Sequence, residues 1–293
     1  MSSFSAEWLS LREPIDHRSR NQALQAKVLN YLEQVKTVEP GSLHVTDLGS
    51  GTGSNLRALA PHLSSLQYWT LVDYDQTLLN VARSTLLAWS DSETDVPVIE
   101  SLDASSMLVK PLSILKQNKT IIVKFKCINL LNDYPAVLNE PTDLITAAAF
   151  FDLVAEPWLV KFCTFLTKPL YTVLTYNGIE KWSPPEIIDA EILNDFHQHQ
   201  RTDKGFGCAL GPAAAKCLQS LLDDQHFTTI CAPSPWTLDH QDRTLIQQLT
   251  MGTARAVREM RTIPLTNINQ WEQSRMQASH CEIGHIDIFS YKK

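Results

Sequence analysis

The stretch Thr46-Asp47-Leu48-Gly49-Ser50-Gly51-Thr52-Gly53-Ser54-Asn55 decides how the rest of the chain is read. Three glycines alternate with small polar residues, and Asp47 stands two places ahead of the first. Leu43-His44-Val45 before it reads as a short strand, and Asn55-Leu56-Arg57-Ala58-Leu59 opens a helical pattern after it. Glycine tolerates positive φ and lacks the Cβ that would keep a ligand away from backbone N–H groups. A strand, a glycine loop and a helix start therefore suit a ligand that approaches bare backbone. In open parallel sheets such ligands lie at the carboxyl ends of the strands.

Outward from the loop, the next strand ends in Asp73, 20 residues after Gly53. A carboxylate there can accept both hydroxyl hydrogens of a ribose, and Tyr74 can pack on an adenine face. Strand-like runs cover 43–48, 68–72, 121–127, 144–147 and 170–175, and helical patterns cover 54–63, 76–89 and 155–166. The alternation predicts βαβ units and a parallel sheet with helices on both faces. A helix is expected from Pro212, helices over 242–260 and 266–279, and strands at 226–231 and 283–290. Residues 4–35 read as amphipathic helix, which Pro14 is expected to divide in two.

A dinucleotide fingerprint, G-x-G-x-x-G, would put a glycine at position 54, where this chain has Ser54. The spacing found, with Asp47 ahead of it, resembles the first motif of the class I, Rossmann-like S-adenosylmethionine-dependent methyltransferases. Asp47 to Gly53 fits that motif without a gap, and Leu71-Val72-Asp73-Tyr74-Asp75 fits the second. Asn129 stands where the family often has an aspartate contacting the adenine amino group, and Thr142 to Leu159 matches the strand-four segment where donor and acceptor meet. The resemblance covers about residues 40 to 180. It implies an α/β fold with a mostly parallel seven-stranded sheet, helices on both faces and an N-terminal helical extension. The cofactor it implies is S-adenosyl-L-methionine, and the binding residues are Asp47, Gly49, Ser50, Gly51, Gly53, Asn55, Asp73, Tyr74, Asn129 and Ala147. Residues 41–293 form the expected cofactor domain, and residues 1–40 an extension suited to cover a substrate pocket.

The composition narrows the acceptor. With 32 acidic against 25 basic residues the net charge is −7, which disfavours nucleic acid as the main partner. Hydrophobic residues make up 44% of the chain, enough for a sizeable core. The apolar run from Leu144 to Phe165 is broken by Asp152, Glu156, Pro157 and Lys161, so no membrane span is expected, and the N-terminus lacks a secretory signal core. Six scattered cysteines without C-x-x-C read as reduced thiols of a cytoplasmic protein, and no zinc spacing is present. A small polar metabolite, methylated at oxygen or nitrogen, is the expected acceptor. The rival reading is a catalytically silent S-adenosylmethionine-binding regulatory protein. The oligomeric state is not readable from the sequence.

Methyl transfer from a sulfonium needs alignment of the acceptor and, for many acceptors, removal of a proton. Phe196 to Pro212 packs histidines and cations ahead of Gly205 and Gly207. His199 or His197 is a candidate general base there, and Arg201 or Lys204 a candidate anion contact. A metal held by the two histidines lacks a third ligand nearby in sequence. Tyr176 and Asn177 close the fifth strand at the sheet's active edge, Tyr176 as a candidate catalytic group and Asn177 as a substrate contact. Trp8 and Arg12 are candidate substrate contacts from the N-terminal helix.

Overall fold

The computed structural model describes residues 4–35, 37–94 and 109–292. The chain begins with α1 (Ala6–Ser19) and α2 (Gln22–Gln34), then β1 (Leu43–Leu48), α3 (Ser54–Leu59), β2 (Leu66–Asp73), α4 (Gln76–Trp89), β3 (Ser92–Glu93) and β4 (Leu112–Lys116). It continues through β5 (Lys119–Cys127), α5 (Leu130–Leu138), β6 (Leu144–Ala148), α6 (Glu156–Phe165), β7 (Leu170–Ser183), α7 (Asp189–Gln200) and α8 (Ala214–Asp224). The last elements are β8 (Thr228–Pro233), β9 (Trp236–Leu238), α9 (Arg243–Met260), α10 (Leu265–Arg275) and β10 (His280–Tyr291).

Among the described residues the strands form one sheet in the order β3-β4-β5-β2-β1-β6-β7-β10-β8, with β9 paired to β10. From β5 to β7 every neighbouring pair is parallel. β10 runs antiparallel to β7, β8 and β9, and β4 antiparallel to β5. The central strands are apolar on both faces, as a covered parallel sheet requires. Val45, Trp69, Leu71 and Val123 enter one core cluster, while Leu48, Val72, Ile145 and Ala147 enter the other. The split follows the two-residue period of a strand. Leu48 lies level with Val72 on one side and Ala147 on the other, so Gly49, Asp73 and Ala148 emerge together at one edge.

Helix α4 shows how the flanking layers are specified. Asp75 caps it by accepting from the Thr77 and Leu78 N–H groups. Leu78, Leu79, Ala82 and Leu86 then fall on its buried face.

Several expectations are corrected. Pro14 does not divide the N-terminal segment: α1 runs through it to Ser19, with Ile15 and Asp16 buried. Burial beside the proline and the Glu13–Arg57 ion pair offset the one helical hydrogen bond it removes. The break comes at Arg20, whose ψ of 139° is extended, and Asn21 caps α2 by accepting from the Leu24 N–H. The helix expected over 54–63 ends at Leu59 and tightens into a 3-10 turn over Ala60–His62. β7 extends past Thr175 to Ser183 because β10 pairs along its whole length, from Leu170 opposite Ser290 to Ser183 opposite His280. β3, β4, β9 and the helices α5 and α7 were not expected, and His197 and His199 stand on α7. Among the described residues no helix is long and apolar enough to cross a membrane.

The N-terminal helices share the main core. Ile15, Leu24, Val28 and Leu32 join the cluster of Val45 and Trp69. Asp287 of β10 binds the Asn21 and Leu174 N–H groups and the Ser234 hydroxyl, tying the start of α2 to the sheet.

Candidate functional site

The glycine loop leaves β1 in a conformation that side chains resist. Gly49, Gly51 and Gly53 have φ of 64°, 52° and 75°, in the left-handed region that glycine enters without a Cβ penalty. The loop is pinned at each step. Ser50 N–H donates to Val72 O at 3.0 Å, and Gly53 N–H to Ser50 O at 2.9 Å. Gly51 N–H donates to Asp73 Oδ2 at 2.8 Å, and Asp73 Oδ1 accepts from the Asp75 N–H at 3.0 Å. The Asp73 carboxyl is 6% exposed, and burial raises its pKa above the ordinary carboxylate range.

Behind the loop lies a buried polar group. Asp47 is fully buried, and its Oδ1 accepts from Asn55 Nδ2 at 2.7 Å. Desolvation pushes its pKa up to about 7. Asn55 Oδ1 accepts from Arg20 Nη2 at 2.8 Å. Arg20 Nε and Nη1, Asp47 Oδ2 and Ser50 Oγ are buried without a hydrogen-bond partner. Helix α1 closes over this group through Glu13 on Arg57 and His17 on Ser54.

A cleft with about 1140 Å³ of empty space, open mouth included, runs along this edge. Gly49, Ser50, Gly51, Asn55, Asp73, Tyr74 and Asn129 line it, together with Arg12 and Lys204. Gly53 and Ala147 adjoin it without lining it, and Asp47 stands behind its wall. Asn129 Oδ1 already accepts from the Leu131 N–H as the cap of α5. Arg20, Asp16 and Phe150 also line the cleft and were not expected to.

A second cavity, about 640 Å³ with its mouth, shares Phe4, Arg12, Ala149 and Leu153 with the first. It is walled by Asp152, Tyr176, Glu180, Gln200, Trp236 and His285. Of these only Tyr176 was expected at the site. The one signal for Asp152 was a carboxylate inside an apolar run, and the others carry no local pattern. Among the described residues no three His, Cys, Asp or Glu side chains are grouped to hold a metal ion.

The other expected site residues lie apart. His199 Nε2 meets Glu259 Oε2 at 2.9 Å, outside both cavities. His197 lines neither cavity, but its Nε2 lies 2.9 Å from the Tyr176 hydroxyl. Arg201 caps the end of α7 and is exposed. Asn177 Oδ1 accepts from the Ile179 N–H. Trp8 packs on the core. For His199 and Arg201 the reason is helical: α7 turns them away from the wall that Phe196 and Gln200 form.

No family model matches the chain, and no curated protein matches it. Solved structures overlay on it loosely. A cyclopropane-fatty-acyl-phospholipid synthase-like protein from Lactobacillus casei is 16% identical, with 96% of this chain and 92% of that one covered at a TM-score of 0.46. Geranyl diphosphate C-methyltransferase from Streptomyces coelicolor, solved with S-adenosyl-L-homocysteine, is 11% identical over 92% of this chain and 78% of that one, at a TM-score of 0.40. Phosphoethanolamine N-methyltransferase 2 from Haemonchus contortus, solved with S-adenosyl-L-methionine, is 9% identical over 92% and 53%, at 0.38. The topology is more specific than these overlays. Seven core strands run β5-β2-β1-β6-β7-β10-β8, with β10 alone reversed, and the glycine cleft sits where the strand order switches between β1 and β6. The fold is a doubly wound α/β sheet, mostly parallel, with helices on both faces and the glycine loop at its switch point.

Proposed function

We propose that the chain is an S-adenosylmethionine-dependent methyltransferase acting on a small polar metabolite at oxygen or nitrogen. One observation carries the reading: the left-handed glycines, the Asp73-held Gly51 N–H and the orphaned polar atoms of Arg20 and Ser50 converge on one cleft, with Asp47 directly behind its wall. Buried polar atoms cost free energy unless something binds them. A nucleoside with a charged amino-acid tail fits this donor and acceptor set. Each carboxylate oxygen of Asp73 already accepts from backbone N–H, Oδ2 from Gly51 and Oδ1 from Asp75, and a carboxylate's four lone-pair sites leave room for a ribose hydroxyl. Tyr74, Ile128 and Asn129 offer the slot for the base, and Arg20 offers two N–H groups to the tail carboxylate.

When bound, the cofactor supplies a methyl group on an already cationic sulfur. The chain's work is then to orient the acceptor, exclude water and accept a proton. In this reading α1, within the 1–40 extension, is the cover of the cleft, and residues 41–293 carry the donor site apart from Arg20, which the extension supplies. Leu9 and Phe4 make that cover apolar, and Phe150 adds an apolar face from the segment after β6.

Calorimetric titration tests the reading. S-Adenosylhomocysteine should bind saturably and NAD should not; tighter binding of NAD would reverse the assignment. Asp73→Ala should weaken S-adenosylhomocysteine by roughly 1.5–3 kcal/mol, the scale of hydrogen bonds to a charged group. An unchanged Kd would move the ribose contact elsewhere.

Arg20 gives a more selective test. Arg20→Met should weaken S-adenosylhomocysteine by at least about tenfold, as loss of a charge-assisted contact does. 5′-Methylthioadenosine lacks the carboxylate and should bind the variant as it binds the wild type. Equal losses for both ligands would rule out a contact specific to the tail.

A further inference from the structure

We propose that the second cavity takes a small amine, held as an ammonium between Asp152 and Glu180, and that its nitrogen is the methyl acceptor. The transfer step rests on the methyl-donor reading above; the amine site does not.

The cavity is built to hold something. Asp152 Oδ1, Gln200 Oε1, His285 Nδ1 and Trp236 Nε1 are all buried without a hydrogen-bond partner. Trp236 is 3% and His285 6% exposed, so both are nearly sealed into the wall. Such atoms are rare in folded proteins and cost free energy when left unpaired. Their gathering in one space marks where a polar ligand restores the missing bonds. The set is rich in acceptors, since Asp152, Glu180 and Gln200 all present oxygen to the cavity and only the indole is obliged to donate. An ammonium brings two or three donors and no acceptor, which matches that imbalance.

The charges point the same way. Arg12, the one cation among the described residues of the wall, is already committed: its Nε and Nη2 donate to Asp16 at 2.8 and 3.2 Å, and its guanidinium lies 5.1 Å from the Trp236 ring centre. Burial and the neighbouring Arg12 drive His285 down to about 3, so the imidazole is neutral. The remaining charged groups are the two carboxyls, and a desolvated negative pair calls for a cation. The rings of Tyr176, Trp236 and Phe196 add faces on which a cation is stabilised.

The placement suits transfer as well as binding. The two cavities meet at Arg12, Ala149 and Leu153, beside the glycine cleft. Before attack the ammonium gives one proton to a carboxylate. Its freed lone pair then forms the N–C bond to the methyl carbon while the C–S bond breaks, and that electron pair stays on sulfur. The products are a methylated ammonium and a neutral thioether, with the proton left on the carboxyl. Desolvation lifts Asp152 to about 6 and Glu180 to about 7, so both exchange protons near neutral pH. Glu180 also has an outlet: the Tyr176 hydroxyl lies 2.9 Å from both Glu180 Oε1 and His197 Nε2.

The test is calorimetric and needs no turnover. Phenethylamine and cyclohexylamine are titrated into the full chain with and without saturating S-adenosylhomocysteine, each beside its neutral partner, phenethyl alcohol or cyclohexanol. The expected result is that at least one amine binds about tenfold or more tighter than its alcohol, the order for a charge-assisted contact. That preference should vanish in Asp152→Asn and in Glu180→Gln, both isosteric, while the Kd of S-adenosylhomocysteine stays unchanged. Equal binding of amines and alcohols, or an amine preference that survives both substitutions, overturns the amine site. An Asp152-dependent amine site in a protein that does not bind S-adenosylhomocysteine would instead overturn the methyl-donor reading and leave the amine site standing.

Discussion

Gly51→Val is expected to weaken S-adenosylhomocysteine binding by more than about a hundredfold. Two effects add. Gly51 has φ of 52°, and a β-branched residue is a genuine outlier there. The same residue lines the cleft, and its N–H holds Asp73 Oδ2 at 2.8 Å. A valine therefore intrudes on the ligand and disturbs the carboxylate that should receive the ribose. The Cβ itself has some room, because its nearest neighbour is the flexible Leu9 Cδ1 at 3.1 Å. The stability cost should thus stay near 1–2 kcal/mol, the scale of one residue forced into the left-handed region. Gly51→Ala separates the effects: the same backbone strain, less intrusion and an intermediate Kd. Wild-type binding by the valine variant would mean that the loop does not approach the ligand.

Arg275→Ala should lower the unfolding free energy by about 3 kcal/mol, the lower end of the range for breaking a buried ion pair. Arg275 is fully buried at the end of α10, donating to Asp189 Oδ1 at 3.0 Å, to Asp189 Oδ2 at 2.9 Å and to Pro184 O at 2.5 Å. Asp189 also accepts from Trp271 Nε1 at 2.9 Å. Truncation leaves a carbonyl and a carboxylate short of donors and opens a cavity beside Trp182, whose ring centre lies 5.9 Å from the guanidinium. The lower end applies because the Asp189 side chain is 24% exposed and keeps some water. Asp189 opens α7, which carries His197 and part of the second cavity wall. Urea unfolding followed by tryptophan fluorescence measures the change, and a loss below about 1 kcal/mol would show that the pair contributes little beyond specificity.

The cleft at the glycine loop was largely legible because its signals are local. A positive-φ requirement is written as glycine at the residue that needs it, and Gly49, Gly51 and Gly53 all take it. Asp73 could be placed because a strand of known start ends two residues after Leu71, and the register of β1 with β2 brings it to the loop. The buried α4 face could be read from apolar spacing within one helix. Pro14 shows the limit of such rules: a local helix breaker is overruled where burial of Ile15 and Asp16 and a buried arginine pair hold the turn.

The sequence by itself determined the alternation of strands and helices, the glycine loop and the carboxylate at the end of β2, since each depends on residues adjacent in the chain. Tertiary structure alone decided the second cavity. Asp152 follows β6, Glu180 lies on the part of β7 that exists only because β10 pairs with it, His285 comes from β10 and Trp236 from β9. It also decided that Arg20, absent from the expected binding residues, presents buried unpaired N–H groups to the cleft, while His199 spends its ring on Glu259 at the surface. The physical reason is that desolvation and unsatisfied hydrogen bonding are sums over everything that packs around an atom. Those neighbours arrive from segments tens to more than a hundred residues apart, and no local pattern carries their total.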